Sequence, residues 1–119
     1  MRHKILWVSK TDPNKQIRPD TSTLTYLEAI SIFGMKNPEI SRATNYMEFK
    51  DAININKDNF FLEICIDYQV DDAHTGIDCL DLLIKFCLDN NLKIPQITPI
   101  KANSDERIQM LSMIDEQYK

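Results

Sequence analysis

The sequence predicts a three-layer α/β/α domain on a four-stranded, mostly parallel sheet with strand order 2-1-3-4. Three observations predict it. First, apolar and β-branched runs alternate with amphipathic helical stretches in the order β-α-β-α-β-α-β-α, which implies parallel strands joined by right-handed crossovers. Second, Ile5-Leu6-Trp7-Val8 and FFLEICI at 60–66 are nearly continuous apolar runs, the pattern of strands buried on both faces. Third, the last run, Ile94 to Ile100, carries Pro95 and Pro99, which lack ladder donors and so belong at a sheet edge.

Each element has its own local reason. After the first strand, SKTDPNKQIRPD is polar with two prolines and reads as a loop. TSTLTYLEAISIFG, from Thr21, places Leu24, Leu27 and Ile30 at helical spacing, offers Thr25 with Glu28 as an alternative capping box, and stops at Gly34. A short second strand lies around Ile40, between Pro38 and Arg42. Asn45 with Glu48 then opens a helix whose inward side is Met47, Phe49, Ile53 and Ile55, ending near Asn56. FFLEICI is the third and central strand. Thr75 with Asp78 starts the next helix, with Ile77, Leu80, Ile84, Cys87 and Leu88 inward and Asn90-Asn91 as its stop. After the edge strand, Ser104 caps a last helix with Asp105 and Glu106 in its first turn, where the positive dipole end favours acids, and with Ile108, Leu111 and Ile114 inward.

At 119 residues the chain is a single domain, 1–119, with globular proportions of 43% hydrophobic and 27% charged residues. No apolar run approaches the roughly 18 residues that cross a bilayer, and the short run after Met-Arg-His-Lys does not make a secretory signal. Cys65, Cys79 and Cys87 have no metal-binding spacing and read as reduced core thiols, so the expected setting is the cytoplasm. A net charge of -4 argues against general DNA or RNA binding, which needs a basic footprint. With two glycines there is no GxGxxG or P-loop cradle, and no Ser-His-Asp arrangement is present.

In an open α/β sheet, ligands bind beyond the carboxyl ends of the strands, near the reversal in strand order. That rule selects Ser9, Lys10 and Asp12 after the first strand, Thr44 and Asn45 after the second, Asp67, Tyr68 and Gln69 after the third, and Lys101, Asn103 and Ser104 after the fourth. Two readings of Asp67 stand: a nucleophile or metal ligand, or a retained strand-end acid that is paired with Lys10 or caps a turn. Asn103, Ser104 and Arg107 either hold an anion at a helix start or simply cap the helix and decorate the surface. Tyr46 and Tyr68 sit at the strand-end rim, placed to stack on a base or to centre a protein interface. His74 and the Asp71-Asp72 pair read as solvated loop residues, and His3 as exposed at the far end.

The segments ILWVSK, TNYMEFKDAI, CIDYQVD, TGIDCLDLLIKFCLDNNLKIP and IKANSDERIQM, taken together, resemble a family. In the cyclic-phosphate processing receiver-like domains, relatives of response-regulator receivers, the matching segments read LFLDD, Thr-Tyr-x-Glu-Phe, SFDHDLG, TGxDCxxWLxxYCLDNNLxxP and HSANPxGRxNM. The likeness runs over nearly the whole chain and is densest from Thr75 to Pro95. It implies a flavodoxin-like fold lacking the last βα unit, and a link to nucleotide-based antiviral signalling, a setting that would suit a phage or mobile-element protein.

The departures fall on the chemistry. Where the family has an acidic pair after the first strand, this chain has Ser9 and Lys10; the histidine and second aspartate after Asp67 are Tyr68 and Gln69; the histidine and serine after the fourth strand are Ile100 and Lys101. Of the family's polar set, Asp67, Asn103 and Arg107 remain. Several carboxylates would hold a divalent cation and histidines would move protons, and both are depleted here. The expectation is a non-catalytic module that uses Ser9, Lys10, Tyr68, Gln69, Lys101, Asn103 and Arg107 to bind a protein partner or a nucleotide-like ligand, with no cofactor. The alternative is a Mg²⁺-dependent phosphoesterase with Asp67 as its essential acid.

Overall fold

The computed structural model describes residues 4–10 and 39–118. The expected helix over 21–34, its Gly34 stop, His3 and Asp12 lie outside the described residues. Four five-residue strands, β1 (Lys4–Val8), β2 (Glu39–Ala43), β3 (Glu63–Asp67) and β4 (Gln96–Ile100), form one sheet in the order β2-β1-β3-β4 with every pairing parallel. Helices α1 (Tyr46–Ile55), α2 (Gly76–Asp89) and α3 (Ser104–Asp115) follow β2, β3 and β4, and a 3-10 turn, Glu116–Tyr118, closes the chain. The fold is the flavodoxin-like α/β arrangement, and no helix among the described residues is long and apolar enough to cross a membrane.

The register explains the continuous apolar strands. Leu6, Val8, Ala43, Ile64, Ile66 and Ile97 share one face and pack against Phe49 and Ile53 of α1, Leu80 and Leu83 of α2, and Met110 of α3. Ile5, Trp7, Cys65 and Ile100 share the opposite face and are equally buried. Because both faces are covered, β1 is buried at every position and shows no alternation. The cysteines are free and buried, and burial pushes the Cys79 thiol up to about 12 and Cys87 to about 11, so neither is a thiolate nucleophile near neutrality.

β4 occupies an edge, as its prolines require, and the way it does so is specific. The Gln96 N–H donates to Leu62 O on the β3 side, so by alternation Pro99 turns its backbone outward, where a missing N–H costs no ladder bond. The outward Pro99 carbonyl accepts from the Arg107 guanidinium at 3.3 Å. Proline and arginine together leave that stretch of the edge unsuited to pairing with another chain.

Several sequence expectations are corrected. β3 starts at Glu63 rather than Phe60: Phe60 stacks on Phe86, Phe61 lies under the Lys4 ammonium, and Leu62 N–H already bonds Lys4 O before the ladder begins. β4 likewise begins at Gln96, not Ile94. Met47, Ile55, Leu88 and Ile108 are exposed, whereas Cys79, Leu83 and Met110 are buried. At about 100° per residue, a side chain two positions from a buried one points to the opposite side of the helix. Met47 and Ile55 stand in that relation to Phe49 and Ile53, and Ile108 to Met110. Leu88 lies about 110° from the centre of the α2 stripe, beyond its edge. The cap of α3 is Asn103, not Ser104: the Asn103 side chain accepts from Glu106 N–H at 2.8 Å and the Glu106 carboxylate accepts from Asn103 N–H at 2.9 Å. At the other end of α2, Asn91 adopts φ 54° and Leu92 N–H returns to Cys87 O, so the expected Asn-Asn stop is a Schellman turn.

Candidate functional site

The carboxyl ends of β1, β3 and β4 meet at Asp67, the last residue of β3, which is only 6% exposed. Its Oδ2 accepts from the Ser9 hydroxyl at 2.6 Å, and its Oδ1 is enclosed without a hydrogen-bond partner. Burial raises the Asp67 carboxyl above its usual range, against the opposing effects of the Ser9 bond and the nearby positive charge of Lys101. The expected neutralisation by Lys10 does not occur as a contact: among the described residues no ion pair joins Asp67 to Lys10, and the adjacent serine supplies the hydrogen bond instead. The backbone behind Asp67 is fixed by Gly76, whose N–H donates to Tyr68 O and whose Cα lies so close that an added Cβ would stand 2.6 Å from Asp67 O.

Asp67 lines a cleft of about 330 Å³ with Lys10, Gln69, Val70, Asp71, Asp72 and Lys101. Lys10 follows β1 and Lys101 follows β4, the strands that flank β3, so the two lysines bracket Asp67 from either side. Lys101 adopts φ 50°, a left-handed conformation that costs a side-chain-bearing residue about 1–2 kcal/mol. Such strain is concentrated at functional positions. The remaining candidates are engaged elsewhere: Asn103 in the α3 cap, Arg107 on Pro99 O, and Tyr68 packed half-buried against the main core. A depression of about 260 Å³, lined by Lys93 and the apolar residues Phe60, Phe61, Leu62, Leu92, Ile94 and Pro95, lies at the opposite, amino end of β3 and β4.

The β3–α2 loop holds what sequence reasoning missed. Asp71 is a junction rather than a solvated acid: it accepts from Tyr46 N–H at 2.9 Å, from Ala73 N–H at 2.9 Å and from the His74 ring at 3.0 Å. His74 in turn stacks on Tyr46 with centroids 4.1 Å apart and planes 7° from parallel, so neither ring is a free platform. The Gln69 side-chain amide donates to Asp71 O, and the Gln69 backbone forms an isolated antiparallel bridge with Thr75. The signal available in sequence was the acid two residues before Ala73, an Asx-turn pattern.

The bond from Tyr46 N–H is the largest cause holding Asp71 down to about 2, from an ordinary 3.8. A lowered carboxyl stabilises the fold above its unfolded value and loses that contribution as pH falls toward its folded one. Asp71→Asn is therefore expected to flatten the fall in melting temperature between pH 4 and pH 2. Asp67 has the opposite sign. A raised carboxyl favours folding while protonated, and its contribution is lost as pH rises through the folded value. Asp67→Asn, which removes the charge and keeps an acceptor for Ser9, is expected to match or exceed the parent's urea midpoint at pH 7 and to lose ground to it at pH 4. A lower midpoint at pH 7 would show that the buried charge is compensated after all.

The metal implied by the family resemblance can be tested against the donors present. Among the described residues no group of three or more His, Cys, Asp or Glu side chains is placed to hold an ion, and the Ser9 hydroxyl occupies Oδ2. An ion held wholly by protein side chains would need more ligands than the described residues bring together here. Fold and site thus define a flavodoxin-like α/β domain with one enclosed acid at the end of its central strand. In comparisons with known proteins, no family model, curated protein or solved structure matches the chain.

Proposed function

We propose that the chain is a non-catalytic, receiver-like binding module that engages a protein partner or a nucleotide-like ligand at the carboxyl end of its sheet. The observation that carries this reading is the bond from Ser9 to Asp67: where a metal-dependent relative would place acids, a neutral hydroxyl restrains the carboxylate. Lys10 and Lys101 beside it are suited to holding an anionic group without a cation. Of the wider set Ser9, Lys10, Tyr68, Gln69, Lys101, Asn103 and Arg107, the cleft-lining residues Lys10, Gln69 and Lys101 are the contacts of this reading. The family resemblance suggests a pseudoenzyme in cytoplasmic signalling or in conflict between phage and host.

Binding rather than catalysis predicts that Mg²⁺ and Mn²⁺ leave the melting temperature unchanged, since a ligand that binds only the native state raises it according to its affinity. Hydrolysis of cyclic dinucleotides or 2',3'-cyclic nucleotides that disappears with Asp67→Ala would replace this reading with the phosphoesterase.

A further inference from the structure

The depression at the amino ends of β3 and β4, about 260 Å³ in volume, has a local cause. Pairing between these strands begins at Gln96, whose N–H donates to Leu62 O, and Pro95, which has no N–H, cannot carry the ladder further back. The segments 60–62 and 92–95 therefore wall a gap instead of closing it. One wall is braced: Phe60 stacks on Phe86 with ring centroids 5.8 Å apart and meets Phe61 at 5.7 Å. Rings held in this way offer a preorganised surface to a further ring.

The charge around the gap is one-sided. The chain as a whole carries a net charge of -4, yet no acid lines the depression and one cation does. That cation, Lys93, is exposed and makes no ion pair among the described residues. Lys4 Nζ, 5.1 Å from the Phe61 ring centroid, adds positive charge beside the floor, and its hydrogen-bond partners, Asn56 Oδ1 and Asn59 O, are neutral. An apolar surface under positive potential favours a ligand that is apolar at one end and anionic at the other.

We propose that this depression is a second binding site, for a small aromatic monocarboxylate, with the ring against Phe60, Leu62 and Leu92 and the carboxylate on the Lys93 ammonium. The volume lies just under the range of about 300–1,000 Å³ usual for drug-sized ligands, which suits one ring on a short chain and leaves no room for a nucleotide. The site stands at the opposite end of the sheet from the Asp67 cleft and does not depend on what that cleft binds.

The test titrates phenylacetate, phenylacetamide and acetate into the isotopically labelled full chain and follows the amide shifts of Leu62, Leu92 and Ile94, with those of Asp67, Gln69 and Lys101 as a reference for the other end. Phenylacetate is expected to shift the first group and to bind about threefold more tightly than the neutral amide, the scale of an exposed ion pair. Acetate, which lacks the ring, is expected to bind roughly tenfold more weakly than phenylacetate. Lys93→Gln is expected to bring phenylacetate down to the affinity of phenylacetamide, and Lys93→Arg to restore the difference. Lys93 is exposed, so both variants should keep the parent's melting temperature. Phenylacetamide or acetate binding as tightly as phenylacetate, or a preference for the acid that survives in Lys93→Gln, overturns the proposal. So does phenylacetate that shifts only Asp67, Gln69 and Lys101, or that shifts none of these amides.

Discussion

Replacing Gly76 with alanine is expected to destabilise the domain by about 3 kcal/mol, the upper end of the usual cost of forcing atoms into a packed interior. The new Cβ would stand 2.6 Å from Asp67 O and 2.8 Å from Met110 Cε. The methionine end can swing away. The carbonyl cannot, because it belongs to β3, which is paired with β1 on one side and β4 on the other. Relief must come from moving the start of α2, which breaks the bond from Gly76 N–H to Tyr68 O and shifts the loop that carries Asp71. Urea unfolding measures the loss, and a change below about 0.5 kcal/mol, the range of ordinary surface substitutions, would mean that helix and strand do not approach this closely.

A second large effect separates two leucines that are indistinguishable by residue type. Leu80→Ala should cost about 2–5 kcal/mol, because a fully buried side chain leaves a cavity its neighbours only partly close. Leu88→Ala, two turns further along the same helix, should cost less than about 0.5 kcal/mol, since Leu88 is 67% exposed and alanine is the better helix former. Equal losses for the pair, read from the same unfolding curves, would require Leu88 to be covered by another surface in solution.

The contrast between these residues shows what local pattern can and cannot specify. Strand order, the edge position of the proline-bearing strand and the capping of α1 and α2 were legible because each depends on chemistry carried by a few adjacent residues: a missing N–H, a side-chain acceptor three positions from a donor, a run with no polar alternation. Which apolar residues of a helix face inward was less legible. Met47, Ile55, Leu88 and Ile108 are hydrophobic, yet their burial depends on the rotation of each helix over the sheet, and that rotation is set by partners distant in sequence.

The site divides in the same way. That Asp67 ends the central strand, with Lys10 and Lys101 just beyond the ends of the flanking strands, followed from the alternation of elements and the rule for open α/β sheets. That Ser9 rather than Lys10 holds Asp67, that Asp71 takes the Tyr46 N–H, and that Arg107 faces the Pro99 carbonyl were decided by tertiary structure alone. The physical reason is range. Periodicity and capping act over three or four residues, whereas a hydrogen bond from residue 9 to residue 67, or from residue 46 to residue 71, exists only once the strands and loops that carry them have been brought together.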